Sequence, residues 1–271
     1  MKSTPSIFGI LNITSDSFSD GGKYLDPAAA LAHGRKLMAD GAHVLDIGPA
    51  SSHPDSAPVS AAEEIRRLEA VVPVLQAEGA VISVDTFQTE TQRWALTQEV
   101  AYLNDIQGFA DESFYPELAE ASANLIVMHS IQGRGPATRA APPPGSMVDH
   151  VSRFFDERFG ALQDAGVARG RLILDPGMGF FLGNQPDPSL EVIRGLGVLK
   201  ERFGVPVLVS VSRKSFLRKL AGAEVGNAAA ATLAAELFAA SAGANMIRTH
   251  EPRQLADSLT IWGHLAPSGR R

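Results

Sequence analysis

Asp85, Asn104 and Asp175 each end a short run rich in Val, Ile and Leu, and three basic residues, Lys214, Arg248 and His250, end two more. Carboxylates and an amide converging on one point suit a flat heterocycle with an amidine-like edge, because a carboxylate accepts two parallel N–H bonds from such an edge. Arg248 and His250, at alternate positions of the last run, suit an anion, and Lys214 makes a third cationic group beside them. Each residue also has a plainer use. Arg248 could pair with a neighbouring carboxylate, Lys214 could lie along the surface with its ammonium in water, and the acidic groups could bond to loop backbone or to Lys214. Three such groups on three separate runs weigh toward a common site.

A common site needs a scaffold that brings the ends of distant runs together. The apolar runs cover residues 7–12, 44–46, 81–85, 102–105, 125–129, 172–175, 207–214 and 246–250, and a helix-like stretch follows each one. A near-continuous apolar strand is what a parallel sheet covered on both faces requires, and strand–helix alternation is how parallel neighbours connect. Eight such units predict an α/β fold, a (β/α)8 TIM barrel with its active site at the C-terminal ends of the strands. The 271 residues are one barrel's length and predict a single domain over 1–271.

Helix signals agree with this alternation. Asp26-Pro27 and Asp187-Pro188 predict a capping residue followed by proline, and Ser60 with Glu63, and Thr89 with Gln92, fit the capping box. Gly41, Gly79, Gly166, Gly204 and Gly243 stand where helices should end. Ile65, Leu68, Val72 and Leu75 recur at helical spacing, with Pro73 expected to kink the last turn. Three connections, 14–26, 47–60 and 130–146, are longer than closure of a barrel needs, and the first two leave the presumed active face.

Composition excludes several classes. There are no cysteines, hence no disulfide or thiolate chemistry, and a net charge of −6 without a basic patch argues against nucleic acid or an anionic membrane as partner. The alanine-rich stretch 228–244 carries Glu236 and few large apolar groups, so it reads as a barrel helix. No secretory signal is visible at the N-terminus, which makes the cytoplasm the expected location.

The ordered set Gly9-Ile10-Leu11-Asn12-Ile13-Thr14, Asp16-Ser17-Phe18-Ser19-Asp20-Gly21-Gly22, Asp46-Ile47-Gly48, Ser83-Val84-Asp85-Thr86, Asn104-Asp105-Ile106, Met128-His129, Asp175-Pro176-Gly177, Ser212-Arg213-Lys214 and Arg248-Thr249-His250 resembles dihydropteroate synthase over nearly the whole chain. The resemblance implies condensation of 6-hydroxymethyl-7,8-dihydropterin diphosphate with p-aminobenzoate, giving 7,8-dihydropteroate and pyrophosphate for folate synthesis. It places Asp85, Asn104, Asp175, Lys214 and Arg248 around the pterin, with Met128 against its face. It places Asn12, Ser52, His53, Arg248 and His250 at the diphosphate, with Asn12 near Mg²⁺. Ser51, Ser52, His53, Pro54, Phe180, Phe181 and Ser212 would surround p-aminobenzoate. Asp85, Asp175, Lys214, Arg248 and His250 carry the catalytic expectation, and a homodimer follows by family analogy.

The chain departs from the ordinary family pattern in places. Gly48-Pro49-Ala50-Ser51-Ser52-His53-Pro54 stands where members read approximately Gly-Gly-Glu-Ser-Thr-Arg-Pro, so a diphosphate-facing arginine is replaced by His53. Phe181-Leu182-Gly183 follows Phe180 where a small residue and usually Lys are found, and Ser15 replaces a proline. These changes gather around the p-aminobenzoate pocket and are similar to those of the mobile sulfonamide-insensitive dihydropteroate synthases. On this reading Phe181 is a bulky ring at the pocket rim that rejects the drug, against the plainer use of filling space between strand and helix. Two other readings share the barrel: a corrinoid-linked methyltransferase, which needs no diphosphate site, and a non-catalytic pterin-binding protein.

Overall fold

The computed structural model describes residues 4–14, 26–222 and 227–265; Ser15 and the motif at 16–22 lie outside them. Eight parallel strands form one sheet: β1 (Ser6–Asn12), β2 (Val44–Gly48), β3 (Ile82–Asp85), β4 (Tyr102–Asp105), β5 (Asn124–Met128), β6 (Leu172–Asp175), β7 (Leu208–Val209) and β8 (Met246–Thr249). Their order, β6-β5-β4-β3-β2-β1-β8-β7, curls the sheet into a nearly closed barrel. Continuous ladders join every pair except β6 and β7, which meet through a single bridge, Leu174 to Val207, and the bond from Leu174 N to Pro206 O at 2.9 Å.

Between the strands run α1 (Pro27–Ala39), α2 (Ala61–Glu69), α3 (Val72–Ala77), α4 (Thr89–Thr97), α5 (Tyr115–Glu120), α6 (Met147–Asp164), α7 (Asp187–Arg194), α8 (Leu196–Phe203), α9 (Ser215–Ala221) and α10 (Ala229–Ala242), and α11 (Pro252–Leu265) follows β8. The period of two along each strand sorts its residues. Outward residues such as Leu11, Ile47, Val84, Leu103, Val127 and Leu174 join the apolar faces of the helices in one large core. Inward residues Phe8, Val44, Ile126, Ile173 and Leu208 form a separate cluster with Tyr102 and Met246 that plugs the barrel. The inward positions above this plug are polar, and they make the floor of the site.

Local signals held with four adjustments. Asp26 and Ser60 cap their helices, accepting from Ala28 N and Glu63 N at 3.3 Å. The five closing glycines all have positive φ, between 60° and 112°. Thr89, however, lies inside α4 and donates to Asp111 at 3.0 Å, while Gln92 is drawn to Thr86 O and Asp105, so no capping box forms there. Asp187 is the first residue of α7 rather than its cap, which is Pro186. Pro73 does more than kink: the stretch divides into α2 and α3, with Pro73 in the first turn of the second. The run at 207–214 contributes only two strand residues, and the chain turns at Arg213, whose φ is 58°. Among the described residues no helix is long and apolar enough to cross a membrane.

Candidate active site

Two residues beyond the plug, the inward positions are Asp46 after Val44, Asn104 after Tyr102, Met128 after Ile126, Asp175 after Ile173 and Arg248 after Met246. Register places Asp85 beside Asn104 and Met128 beside Asp175. Asp46, Asn104, Asp175 and Met128 are almost closed to solvent, at 0%, 1%, 1% and 5% exposure. Asp85, Lys214 and Arg248 line the base of an open cavity of about 450 Å³. All six residues expected around the pterin therefore come together.

Arg248 is the hub of this floor. It reaches from β8 past β1 to the carboxylates of Asp46 on β2 and Asp85 on β3. The plainer use of Arg248, pairing with a carboxylate, is thus realised in addition to its place at the cavity. Burial opposes its charge, but Asp46, Asp85 and Asp175 override that and raise its pKa. Asp46 has the opposite balance: burial pushes it up to about 6 against the pull of Arg248. Asp175 is likewise raised to about 6 by burial, although Gly177 N donates to it at 2.8 Å and Arg248 and Lys214 favour its charge. Burial, reinforced by Arg248, lowers Lys214 to about 8, and its ammonium sits 5.0 Å from the centre of the Phe181 ring.

Asp46 stood in the sequence as the end of a run and in the Asp46-Ile47-Gly48 motif, with no role assigned to it. The structure makes it the fully buried anchor of Arg248 and a partner of Asn104, whose amide lies 3.4 Å away. Asp105 and His129, by contrast, have outward parity. Asp105 accepts from Gln107 N, Phe109 N and Gln92, fixing the loop after β4. His129 lies between Pro176 O and the rings of His150 and Phe154, and burial lowers its pKa to about 3.

At the other side of the mouth stand Asn12, Thr14, Ser212 and His250. His250 shares a 2.9 Å hydrogen bond with Ser212 through Nδ1. Burial, with Arg213, Arg248 and Lys214 nearby, drives its pKa far down, so it is a neutral imidazole. The anion corner therefore draws its charge from Arg248 and Lys214.

The outer wall is built from loops. Ser51 accepts from Ser56 Oγ at 2.6 Å and from His53 N at 3.2 Å, which folds the turn carrying Ser52, His53 and Pro54 over the cavity. The loop at 130–146 clips onto this turn through Ala137 N to Ser52 O and the Arg139–Asp55 pair. Phe180 packs edge-on against His53 with ring centres 6.0 Å apart. Phe181 lines the cavity beside Phe180 but is 4% exposed, clusters with Ile106, Met128 and Ala137, and lies under Lys214, so it also fills space as its plainer use requires. The aromatic at the rim is Phe180. His53 has a lowered pKa, chiefly through burial and against the pull of Asp55, with Arg139, Lys214 and Arg218 adding to the lowering.

An eight-stranded parallel barrel whose mouth joins buried carboxylates to a basic corner has its charged groups at the strand ends where enzymes of this fold carry their chemistry. The model of the family described as pterin binding enzyme matches residues 8–250. The chain is 57% identical to a dihydropteroate synthase type-2 of Escherichia coli, over 100% of this chain and 99% of that one. A Xanthomonas albilineans dihydropteroate synthase structure with 4-aminobenzoic acid superposes with a TM-score of 0.88 at 35% identity, covering 97% of this chain and 94% of the other. The same enzyme in complex with 7,8-dihydropteroate gives 0.85 at 34% identity, with coverage of 98% and 95%. The chain belongs to the dihydropteroate synthase family of pterin-binding enzymes.

Proposed function

We propose that this cavity condenses 6-hydroxymethyl-7,8-dihydropterin diphosphate with p-aminobenzoate, and that Asp85, Asn104, Asp175 and Lys214 hold the pterin with Met128 against its face. The observation that carries this reading is the buried floor of three carboxylates and two cations, Asp46, Asp85, Asp175, Lys214 and Arg248. When pyrophosphate leaves the pterin methylene, positive charge spreads into the ring. Preorganised carboxylates lower that barrier from beneath, while Arg248 and the one free proton of the Ser212–His250 pair receive the departing oxygens. The attacking aniline nitrogen is neutral at physiological pH, so no dedicated base is assigned. Ser51, Ser52, Pro54, Phe180, Phe181 and Ser212 surround the aryl amine in this assignment.

Mg²⁺ fits the mouth of β1. Asn12 supplies a side-chain oxygen there, and Thr14 Oγ1 is buried without a partner among the described residues. Such a cation takes few protein ligands and completes its shell with phosphate and water, and when bound it would neutralise charge on the diphosphate. A cytoplasmic homodimer completes the reading; Phe238 on α10 and Ile261, Trp262 and Leu265 on α11 give it an exposed apolar face. The altered turn at 48–54 and the Phe180–Phe181 pair support insensitivity to sulfonamides. Release of pyrophosphate from the two substrates together, and from neither alone, tests the assignment. No release would sink it; release without consumption of p-aminobenzoate would point to a hydrolase.

A further inference from the structure

Most cations along the cavity are committed to carboxylates of this chain. Arg248 is held by Asp46 and Asp85, Arg213 by Glu251 and Arg139 by Asp55, and Lys214 lies in the field of Asp175 and Asp85. Arg218 is different. It stands on α9, partly buried, and no carboxylate lies within ion-pair distance of it among the described residues. It lines the outer end of the cavity with Ser215, Phe180 and His53. A second hollow of about 400 Å³ shares Phe180, Ser215 and Arg218 with the first, so Arg218 borders both.

We propose that Arg218, assisted by the Ser215 hydroxyl, is the residue that reads the carboxylate of the aryl amine and so sets specificity for it. This rests on the dihydropteroate synthase reading of the cavity. With the amine nitrogen directed at the pterin floor, the opposite end of the ring points outward to the wall of Phe180, Ser215 and Arg218. A planar carboxylate matches the guanidinium fork through two parallel N–H···O bonds. A sulfonyl group is tetrahedral and its charge is shared with a substituent, so it cannot present two coplanar oxygens to the same fork. Discrimination then has an attractive component for the true substrate alongside any clash against the drug.

The test compares wild type, Arg218→Ala and Arg218→Lys with p-aminobenzoate and with p-aminobenzamide, its neutral counterpart, at saturating pterin diphosphate. Arg218→Ala should lower kcat/KM for the acid by at least ~10-fold, mainly through KM. The amide should change by less than about 3-fold, a span below one charge-assisted bond. Arg218→Lys should fall between, and the KM for pterin diphosphate should stay at the wild-type value. The same acid-to-amide preference in wild type and Arg218→Ala would overturn this assignment alone, as would an equal rise in KM for the pterin diphosphate. A wild-type enzyme that releases no pyrophosphate from either pair would overturn the underlying reading and this one with it.

Discussion

Arg248 and Asp46 pair over the end of β1, one on β8 and the other on β2, the two strands that flank it. Both have pKa values displaced from the ordinary. The arginine is held more firmly protonated by three carboxylates, and the aspartate is raised to about 6 by its burial. Their contact ties together the two strands that flank β1; removal of Arg248 strands the buried Asp46 carboxylate, whereas removal of Asp46 leaves Arg248 with Asp85.

Asp46→Ala should destabilise the protein by about 1–3 kcal/mol, because the buried Arg248 keeps Asp85 but loses one of its two bonded carboxylates. For a chain of this length that lowers Tm by several degrees. Combining it with Arg248→Met should restore much of the Tm and none of the turnover. Thermal unfolding of the three variants decides; a wild-type Tm for Asp46→Ala would remove the pair from the account of stability.

Binding of the pterin should weaken as pH falls. Asp175 is raised to about 6, so it is mostly ionised at pH 7.5 and mostly protonated at pH 5. Only the ionised form accepts two N–H bonds from an amidine edge. A pterin alcohol without the diphosphate removes phosphate titration from the measurement. Its Kd should rise on acidification for wild type, while Asp175→Asn should bind weakly at both pH values. A flat wild-type profile would take Asp175 away from the pterin.

His53 has a pKa below its ordinary value and is neutral at pH 7.5. Any charge it lends the diphosphate therefore appears only on acidification, whereas arginine carries charge throughout. The ratio of kcat/KM for His53→Arg over wild type should rise with pH. A ratio that is constant from pH 5.5 to 8 would make His53 a wall residue with no part in the departure of pyrophosphate.

The two phenylalanines should separate by function. Phe181→Ala removes a buried ring and should cost about 3–5 kcal/mol of stability, with the pterin KM raised because Lys214 loses its seat. Phe180→Ala should leave Tm within a few degrees of wild type and tighten sulfonamide inhibition by ~10-fold or more. Tighter inhibition in Phe181→Ala than in Phe180→Ala would return the gate to Phe181.

Much of this arrangement is written in parity. The apolar runs located the eight strands to within one or two residues except at β7, and counting in twos from the plug residues would have separated inward Asp46 and Asn104 from outward Asp105 and His129. Asp46 had no role assigned to it because its partner lies two hundred residues away in sequence, and such pairings leave no local trace. Arg218 was obscure for a related reason: its meaning comes from what the neighbouring cations are already bonded to. Capping at Thr89 and Asp187 failed because tertiary partners and Pro186 shifted the helix starts by one residue.

The joint between β6 and β7 gives the molecule a division of labour. Strands β1 to β6 are stitched by continuous ladders and carry most of the floor, whereas Phe180 and Phe181 follow β6 and Ser215 and Arg218 follow β7, on either side of the one sparsely bonded seam. Phe180, Ser215 and Arg218 in that wall therefore stand apart from the strand ladders that carry the heterocycle's floor, whereas Phe181, under Lys214 and against Met128, is tied to it. Selection by a competitor of the second substrate can therefore rework one pocket repeatedly while the first is inherited unchanged.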